Sequence, residues 1–570
     1  MTALLTENLP LLAGAPNGIK KLRELILELA VRGKLVPQDP SDEPASELLK
    51  RITEEKTQLV AEGKIKKQKP PVEINEREKP FEVPLGWAWT RLGCTSSLEN
   101  GDRSSNYPNK SQLVDSGIPF INAGHLQSGL VDLREMNFIT RSCFDNLRAG
   151  KVQEGDILFC LRGSLGKAAI VRGISEGAIA SSLVIVRMTE SFSAQYLMIY
   201  FSSPLAFGMV KRFDNGTAQP NLSAADLNRF LVPVPPLAEQ HRIVAKVDEL
   251  MALCDRLEAQ QADAESAHAQ LVQALLDSLT QASDAIDFAA SWKRMADHFH
   301  TLFTTESSID ALKQTLLQLA VMGKLVPQDP SDESASKLLK RIDEEKRRLV
   351  AEGKIKKQKP LTYIDEDEAP FDLPKSWQWA RLGDLSELIT SGSRDWAQHY
   401  SNDGAIFVRM GNLSRRSYAL RLSSIQRVSP PEDGEGSRTK LEPGDLLLSI
   451  TGEVGLLGLI PEKFGEAYIN QHVCLIRFIS SVRGRFLPEA LRSPLAYEQY
   501  EAPQRGIKNS FRLSDVSEIL VPLPPLAEQH RIVAKVDQLM ALCDQLKVRL
   551  SQARQLNEQL ASTLVGQAVA

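Results

Sequence analysis

The chain has 570 residues, 42% hydrophobic and 25% charged, which are the proportions of a globular protein with several domains. Because it shows no apolar run long enough to cross a bilayer, no secretory signal and no CxxC pair among its six cysteines, membrane, secreted and zinc-binding classes are disfavoured and a cytoplasmic location is predicted. A net charge of −4 over the whole chain neither attracts nor repels a polyanion strongly, so any nucleic-acid surface must be local.

Two amphipathic helices are predicted near the start of the chain. Apolar residues recur at helical spacing from Leu22 to Leu29, and Gly33 is placed to end this helix. A second helix is predicted over residues 43–62. The DPSD string at 39–42 lacks the second proline and the aromatic residue of the DPPY motif of amino-methyltransferases. It is therefore interpreted as a turn between the helices.

A long helix is predicted over residues 236–282, after a block of short β-rich runs and turn residues. Pro235 and Pro236 suit a first helical turn, and Glu239 favours a helix N-terminus. The apolar spacing that follows resembles a coiled coil. An unbroken helix of this kind would be ~60–65 Å long, the length of a spacer.

The whole arrangement occurs twice. ILELAVRGKLVPQDPSDEPASELLKRI returns as LLQLAVMGKLVPQDPSDESASKLLKRI, GWAWTRLG as SWQWARLG, and VPPLAEQHRIVAKVD as LPPLAEQHRIVAKVD. Between these frames, the variable blocks 94–230 and 384–519 diverge almost completely. The two frames predict a closed, pseudo-twofold arrangement in an α+β protein. The predicted domains are 1–80 (helical), 81–235 (first α/β domain), 236–370 (central helical), 371–524 (second α/β domain) and 525–570 (C-terminal helix).

Catalytic motifs are not recognisable in the sequence. It has no GxxxxGK[ST] loop, no HExxH and no GxSxG, so no catalytic residue and no metal ligand is predicted. His241 and His530 are interpreted as surface or capping positions, and Cys254 and Cys543 as core. Trp87 and Trp377 are expected to pack at the beginning of each variable block.

Local polar and basic residues in the block loops are the candidates for reading DNA. Acidic and basic residues are nearly balanced in each block, so bulk charge gives no support. Arginine can pair bidentately with guanine, and asparagine with adenine, in the major groove. The candidate DNA-binding residues are Arg103, Asn122, His125, Arg162, Asn215, Gln219, Asn221, Arg394, Arg409, Asn412, Arg415, Arg416, Arg505, Lys508, Asn509 and Arg512.

The repeated motifs resemble the conserved regions of the specificity subunit of Type I restriction-modification systems. GKLVPQDPSDEPASELLKRI, GWAWTRLG and VPLPPLAEQHRIVAKVDQLMALCD carry the resemblance, which covers nearly the whole chain. It implies that each variable block is a target recognition domain on double-stranded DNA. It also implies that an antiparallel coiled coil spaces the two blocks and that the chain has no active site. RGIKNSFRLSDV at 505–516 departs from the family's loop before the last strand.

The resemblance further implies partner subunits that carry out the chemistry. Two modification subunits would methylate adenine from S-adenosylmethionine, and restriction subunits would use ATP and Mg²⁺ to translocate and cut DNA. The frame helices would dock them, with candidate residues Leu25, Leu29, Val244, Val247, Leu316, Leu319, Val533 and Val536.

Two different blocks on a spacer are expected to recognise a bipartite, asymmetric target. Its half-sites would lie about one DNA helical turn of ~34–36 Å, or a small multiple of it, apart. Three alternatives stay open: a methyltransferase or nuclease that acts alone, a coiled-coil scaffold that binds only proteins, and a specificity subunit of a methylation-only complex.

Overall fold

The computed structural model describes residues 12–65, 72–216, 219–282, 284–392, 395–430, 436–501 and 510–569. The chain divides into two compact units, Met1–Asp263 with Ala553–Ala570, and Ala264–Gln552. Each unit contains one variable block, a pair of frame helices and part of each of two 44-residue helices. The mixture of helices and sheets confirms the predicted α+β class.

The helices follow the predicted order in both frames. They are α1 (Gly18–Val31), α2 (Ala45–Ala61), α3 (Leu92–Thr95), α4 (Arg141–Asn146), α5 (Ala194–Ser202), α6 (Pro204–Phe213), α7 (Ala224–Leu227), α8 (Leu237–Thr280), α9 (Ala285–Ala296), α10 (Phe299–Leu302), α11 (Glu306–Val321), α12 (Ala335–Ala351), α13 (Phe486–Leu491), α14 (Pro494–Glu501), α15 (Leu513–Glu518) and α16 (Leu526–Val569).

The first variable block contains two main sheets and a separate strand pair. Its strands are β1 (Ala88–Arg91), β2 (Ser96–Asn100), β3 (Leu113–Val114), β4 (Ile118–Ile121), β5 (Leu126–Gln127), β6 (Leu130–Val131), β7 (Asn137–Ile139), β8 (Lys151–Val152), β9 (Ile157–Cys160), β10 (Ala168–Ile170), β11 (Gly177–Ile179), β12 (Leu183–Met188) and β13 (Leu231–Val234). The sheet orders are β2-β12-β9-β10-β6-β5 and β3-β7-β4-β11-β8.

The second variable block repeats this plan with fewer strands in each main sheet. Its strands are β14 (Gln378–Arg381), β15 (Ser386–Ser391), β16 (Tyr400–Ser401), β17 (Ala405–Val408), β18 (Gln426–Val428), β19 (Leu446–Ser449), β20 (Leu457–Leu459), β21 (Ala467–Ile469), β22 (Val473–Phe478) and β23 (Leu520–Leu523). The sheet orders are β15-β22-β19-β20 and β16-β18-β17-β21.

Each block begins and ends on one two-stranded sheet. β1 pairs antiparallel with β13, and β14 pairs antiparallel with β23. The residues between these strands can therefore diverge while the chain enters and leaves the block at the same place. This pairing explains how two frames of nearly constant sequence can carry different inserts.

A buried glutamate joins the three conserved motifs of each frame. In the first unit, Glu239 accepts hydrogen bonds from Trp87 Nε1 at 2.9 Å and from Gln38 Nε2 at 2.7 Å. Arg242, one turn later, pairs with Asp42 of the DPSD turn at 2.6 Å. The expected turn and the expected tryptophan packing are thus confirmed. We call Glu239 with its two donors the glutamate junction.

The second unit repeats this junction. Glu528 accepts from Trp377 Nε1 at 3.0 Å and from Gln328 Nε2 at 2.6 Å, and Arg531 pairs with Asp332 at 2.6 Å. Desolvation by burial raises the pKa of Glu528 to about 7. The pKa of Glu239 is raised for the same reason. Each junction fixes the start of a long helix to the preceding frame motifs.

Candidate nucleic-acid interface

Several strands of the first block end together and carry a polar edge. β2, β9 and β12 are neighbours in one sheet, with Asn100 opposite Val184 and Cys160 opposite Leu183. β4 and β11 run parallel in the other sheet, and β11 continues into β12. The loops at these strand ends therefore lie side by side. We call them the first loop edge, which consists of residues 101–103, 122–125, 161–167 and 180–182, with 214–216 and 219–221 beside them.

Three of the predicted residues meet at this edge. Arg162 Nε donates to Asn221 Oδ1 at 3.0 Å, and Asn221 Nδ2 donates to Asn215 Oδ1 at 3.1 Å. The backbones of Arg162 and Asn221 also form an antiparallel bridge. Arg162, Asn215 and the neighbouring Gln219 are exposed, whereas Asn221 is half-buried. A guanidinium and two amide side chains are thus hydrogen-bonded in a row at the surface.

The other candidates of the first block have different surroundings. Arg103 is exposed in the loop after β2. Asn122 Oδ1 accepts from the backbone N–H of Gly124 at 2.8 Å, and the Asn122 N–H donates to His125 Nδ1 at 3.1 Å. His125 is only 8% exposed, and desolvation lowers its pKa. His125 therefore stabilises its own turn, and the prediction that it reads bases is not supported by its position.

The same construction recurs in the second block. β15, β19 and β22 are neighbours, with Ser391 opposite Cys474 and Ser449 opposite Val473. Thr451 and Ser510 form the backbone bridge that Arg162 and Asn221 form in the first block. We call loops 409–416, 450–456 and 470–472, with residue 510, the second loop edge.

The second loop edge presents hydroxyl and imidazole groups. The Thr451 hydroxyl and His472 Nδ1 are hydrogen-bonded at 2.5 Å, and His472 is exposed. Thr451, His472 and Ser510 were missed from the sequence because they do not form a basic or amide-rich cluster. The spacing of the repeat was the available signal, since it places Thr451 and Ser510 where Arg162 and Asn221 stand.

In each block a glycine follows the first strand of one main sheet, Gly101 after β2 and Gly392 after β15. At each glycine the backbone comes close to the segment that leads into β12 or β22. A Cβ on Gly101 would lie 2.8 Å from the carbonyl oxygen of Ala180. On Gly392 it would lie 2.0 Å from the carbonyl oxygen of Ile469. Both distances are shorter than a Cβ contact allows, so the close backbone approach requires glycine at both positions. This repeated feature shows that the two edges are built alike.

Comparisons with known proteins identify the family. A family model described as the Type I restriction modification DNA specificity domain matches residues 99–265 and 374–553. The EcoAI specificity subunit of the Type I restriction enzyme of Escherichia coli is 38% identical over 97% of this chain and 94% of its own length. The EcoEI specificity subunit of Escherichia coli is 37% identical over the same shares. The chain belongs to the specificity subunits of Type I restriction-modification systems.

One solved structure shows the same fold. A chain from a study of complex assembly and conformational transition of the type I R-M system has a TM-score of 0.51 and 19% identity. The match covers 86% of this chain and 99% of that chain. The specificity subunit thus contains two DNA recognition domains, each with one loop edge, and the long helix α8 lies between them in the sequence. Among the described residues, no helix is long and apolar enough to cross a membrane.

Two candidates in the second recognition domain, Arg409 and Asn412, take part in hydrogen bonds within their own loop. Asn412 is only 6% exposed and donates to the carbonyl oxygens of Arg421 and Ser424 at 2.8 and 3.0 Å. Arg409 is half-buried, and its backbone N–H donates to Asn412 Oδ1. Asn412 is thus a loop-closing residue, which corrects its assignment as a base reader.

Two exposed arginines of this domain are held by carboxylates. Arg415 Nε donates to Glu453 at 3.1 Å, and Arg416 Nη1 donates to Asp310 of α11 at 2.8 Å. Arg416 therefore ties the recognition domain to a frame helix of its own unit. Arg512 is exposed at the start of α15. Predictions for Arg394, Arg505, Lys508 and Asn509 lie outside the described residues.

The apolar residues predicted to dock partner subunits lie in the subunit's own cores. Six of them are at most 4% exposed, namely Leu25, Leu29, Val247, Leu316, Leu319 and Val536. Val244 and Val533 are partly buried against the same clusters. Their helical periodicity reflects intramolecular packing, so these side chains cannot form a partner surface. The expectation that the frame helices dock partners stays a prediction for their outer faces.

Proposed function

We propose that this specificity subunit reads a bipartite, asymmetric target in double-stranded DNA, one half-site with each loop edge. The frames would dock two modification subunits, which bind S-adenosylmethionine and methylate adenine, and restriction subunits, which use ATP and Mg²⁺. The chain itself would contribute recognition and no catalytic group, and the complex would act in the cytoplasm.

The proposal rests on the different side chains that the two loop edges place at equivalent backbone bridges. Both loop edges use the same strand ends and the same backbone bridge. The first edge places Arg162 and Asn221 there, which suit guanine and adenine edges in the major groove. The second places Thr451 and Ser510, whose hydroxyls can donate to or accept from a base. Equivalent scaffolds with different side chains support recognition of two different half-sites.

The repeated glutamate junctions support docking of the same partner twice. The contacts of Glu239 are reproduced at Glu528 to within 0.1 Å, as shown by 2.9 and 2.7 Å against 3.0 and 2.6 Å. The frame surfaces around them also share nearly the same sequence. A partner that recognises one frame should therefore recognise the other.

Exchange of the first variable block tests the assignment of the half-sites. Modification-sensitive sequencing of the host genome, with and without this gene, should show loss of a single two-part methylated motif with a fixed spacer. Replacing residues 94–230 by the block of a relative should then change one half of that motif. A chain in which both halves change, or neither, would contradict the proposal.

Replacing Arg162 by alanine should relax recognition at one position of the first half-site. Loss of a base-directed guanidinium should reduce discrimination there by about 1–2 kcal/mol. The measurement is competitive binding of the full complex to duplexes that carry each single-base change. Arg141→Ala is the matched control, because Arg141 pairs with Glu176 before the start of β11, at the end of the sheet opposite the loop edge. Equal effects of the two substitutions would argue against a reading role for Arg162.

A further inference from the structure

The helix α6 of the first recognition domain exposes an aromatic and basic face. Phe207 is 57% exposed, although phenylalanine normally supplies buried area. The Nζ of Lys211, one turn later, lies 4.9 Å from the centre of the Phe207 ring. Lys211 and Arg212 are both exposed in the last turn. The Arg212 guanidinium lies 5.8 Å from the centre of the Phe213 ring, whereas the Phe207 ring and the Lys211 ammonium remain open to solvent.

The helix lies directly beside the first loop edge. A Cβ on Gly166, in loop 161–167, would be 3.5 Å from Val210 of the helix, so loop and helix are in contact. Asp214, the residue after α6, accepts at Oδ1 from the backbone N–H of Asn221 at 2.9 Å. A DNA duplex seated on the loop edge would therefore have its backbone next to α6.

Positive charge dominates this part of the surface. Arg162, Lys167, Lys211, Arg212 and Arg229 are all exposed.

Two carboxylates, Asp214 and Asp226, lie among these five cations. Asp214 also accepts from the backbone N–H of Gly216 at 3.0 Å, and these backbone hydrogen bonds hold its pKa below the usual value. Asp226 accepts from the Ser223 hydroxyl at 2.6 Å and lies 3.6 Å from Arg229. A polyanion is the occupant that this excess of cations favours.

The equivalent helix of the second recognition domain lacks this face. In α14, Tyr497 stands where Phe207 stands, but Tyr497 Oη donates to the backbone carbonyl of Arg415 at 2.6 Å. The Arg415 guanidinium lies 5.3 Å from the Tyr497 ring centre and covers it. Glu501 occupies the position of Lys211, so the charge is reversed. Among the described residues of these two helices, the open cationic face is therefore found in α6 and not in α14.

From this contrast we infer that α6 binds the sugar–phosphate backbone beside the half-site that the first loop edge reads. Lys211 and Arg212 contact phosphates, and Phe207 packs against the deoxyribose between them. The contact adds affinity and salt dependence without base preference, because phosphates carry no direct sequence information. The inference rests on the proposed DNA reading.

The salt dependence of binding tests the inference. The full chain, copurified with its own partner subunits, is titrated with a duplex that contains the methylated motif, at several KCl concentrations. The slope of log K against log[salt] is negative, and each lost phosphate contact reduces its magnitude by about 0.9. The magnitude of the slope should thus fall by about 1 in Lys211→Ala and by about 2 in the double variant Lys211→Ala, Arg212→Ala. Phe207→Ala should weaken binding about fivefold with little change in slope, because it removes apolar contact and no charge.

Arg141→Ala removes one exposed cation from the same domain and should leave the slope unchanged. If the wild-type complex binds its motif specifically but Lys211→Ala leaves slope and affinity unchanged, the inference is overturned and the cations serve only the C-terminus of α6. If the wild-type complex shows no preference for the motif, the proposed function itself is overturned, and this inference with it.

Discussion

Asp445→Ala should destabilise the central sheet of the second recognition domain. Asp445 is fully buried and accepts two hydrogen bonds from Arg477, at 2.8 Å from Nε and 2.7 Å from Nη2. It also accepts from the backbone N–H of Glu442 at 2.7 Å. Removing one partner of a buried ion pair leaves the other charge desolvated, which typically costs 3–5 kcal/mol. We expect about 3 kcal/mol here, because Arg477 retains a contact with Glu442 at 2.7 Å.

Amide hydrogen exchange of β22 measures this loss locally. A loss of about 3 kcal/mol corresponds to exchange roughly a hundredfold faster, if β22 exchanges through local opening. Glu442→Gln is the matched control, since it removes the exposed partner of the same arginine. The side chain of Glu442 is 52% exposed, so its loss should cost less than about 1 kcal/mol. Protection in Glu442→Gln that falls as far as in Asp445→Ala would contradict the importance of the buried pair.

The same ion pair in the first domain shows why sequence alone could not find it. Asp156 and Arg187 form it with distances of 2.8 and 2.7 Å. Arg187 belongs to β12, and Asp156 immediately precedes the neighbouring strand β9. Their pairing follows from strand order and register, which local periodicity does not specify.

The frame helices were predictable because their signals are local. The apolar spacing and Gly33 predicted a helix that the structure places at Gly18–Val31. Residues 236–282 were predicted as one helix, and α8 spans Leu237–Thr280. Cys254 and Cys543 were predicted as core and are at most 1% exposed. Periodicity therefore identified which faces are buried.

Periodicity did not identify what buries those faces. Leu25 and Leu316 were assigned to partner docking, yet both pack within the subunit. An apolar stripe gives the same pattern whether a neighbouring helix or another protein covers it. The loop edges were predictable only in part for a related reason. Arg162 and Asn221 were both proposed, but their contact depends on a bridge between segments far apart in the chain.

Glu528→Gln should remove a pH dependence from the stability of the second unit. Glu528 is fully buried in its glutamate junction, and its pKa is raised from 4.5 to about 7. Between about pH 4.5 and 7, the folded protein therefore holds more protons at this group than the unfolded chain. The free energy of unfolding falls as the pH rises through this window, and the fall ends above about pH 7. Glutamine cannot ionise, so the variant lacks this term.

The size of the effect follows from the pKa shift. One pKa unit corresponds to about 1.4 kcal/mol. Between pH 5 and 8, the free energy of unfolding of the wild type should therefore fall by about 2–3 kcal/mol relative to that of Glu528→Gln. Urea unfolding of the full chain, followed by near-ultraviolet circular dichroism at several pH values, measures the difference. The other ionisable groups are the same in both proteins, so their contributions to the pH dependence cancel in the difference.

A control separates this group from the remaining carboxylates. Glu344→Gln changes an exposed glutamate of α12 and should give a pH profile parallel to the wild type. Glu239→Gln should act in the same direction as Glu528→Gln, because burial raises the pKa of Glu239 as well. Parallel profiles for Glu528→Gln and the wild type would mean that Glu528 ionises as readily in the folded protein as in the unfolded chain. The junction would then stabilise its helix through hydrogen bonds to an ordinary carboxylate, and the frames would hold the recognition domains equally well across this pH range.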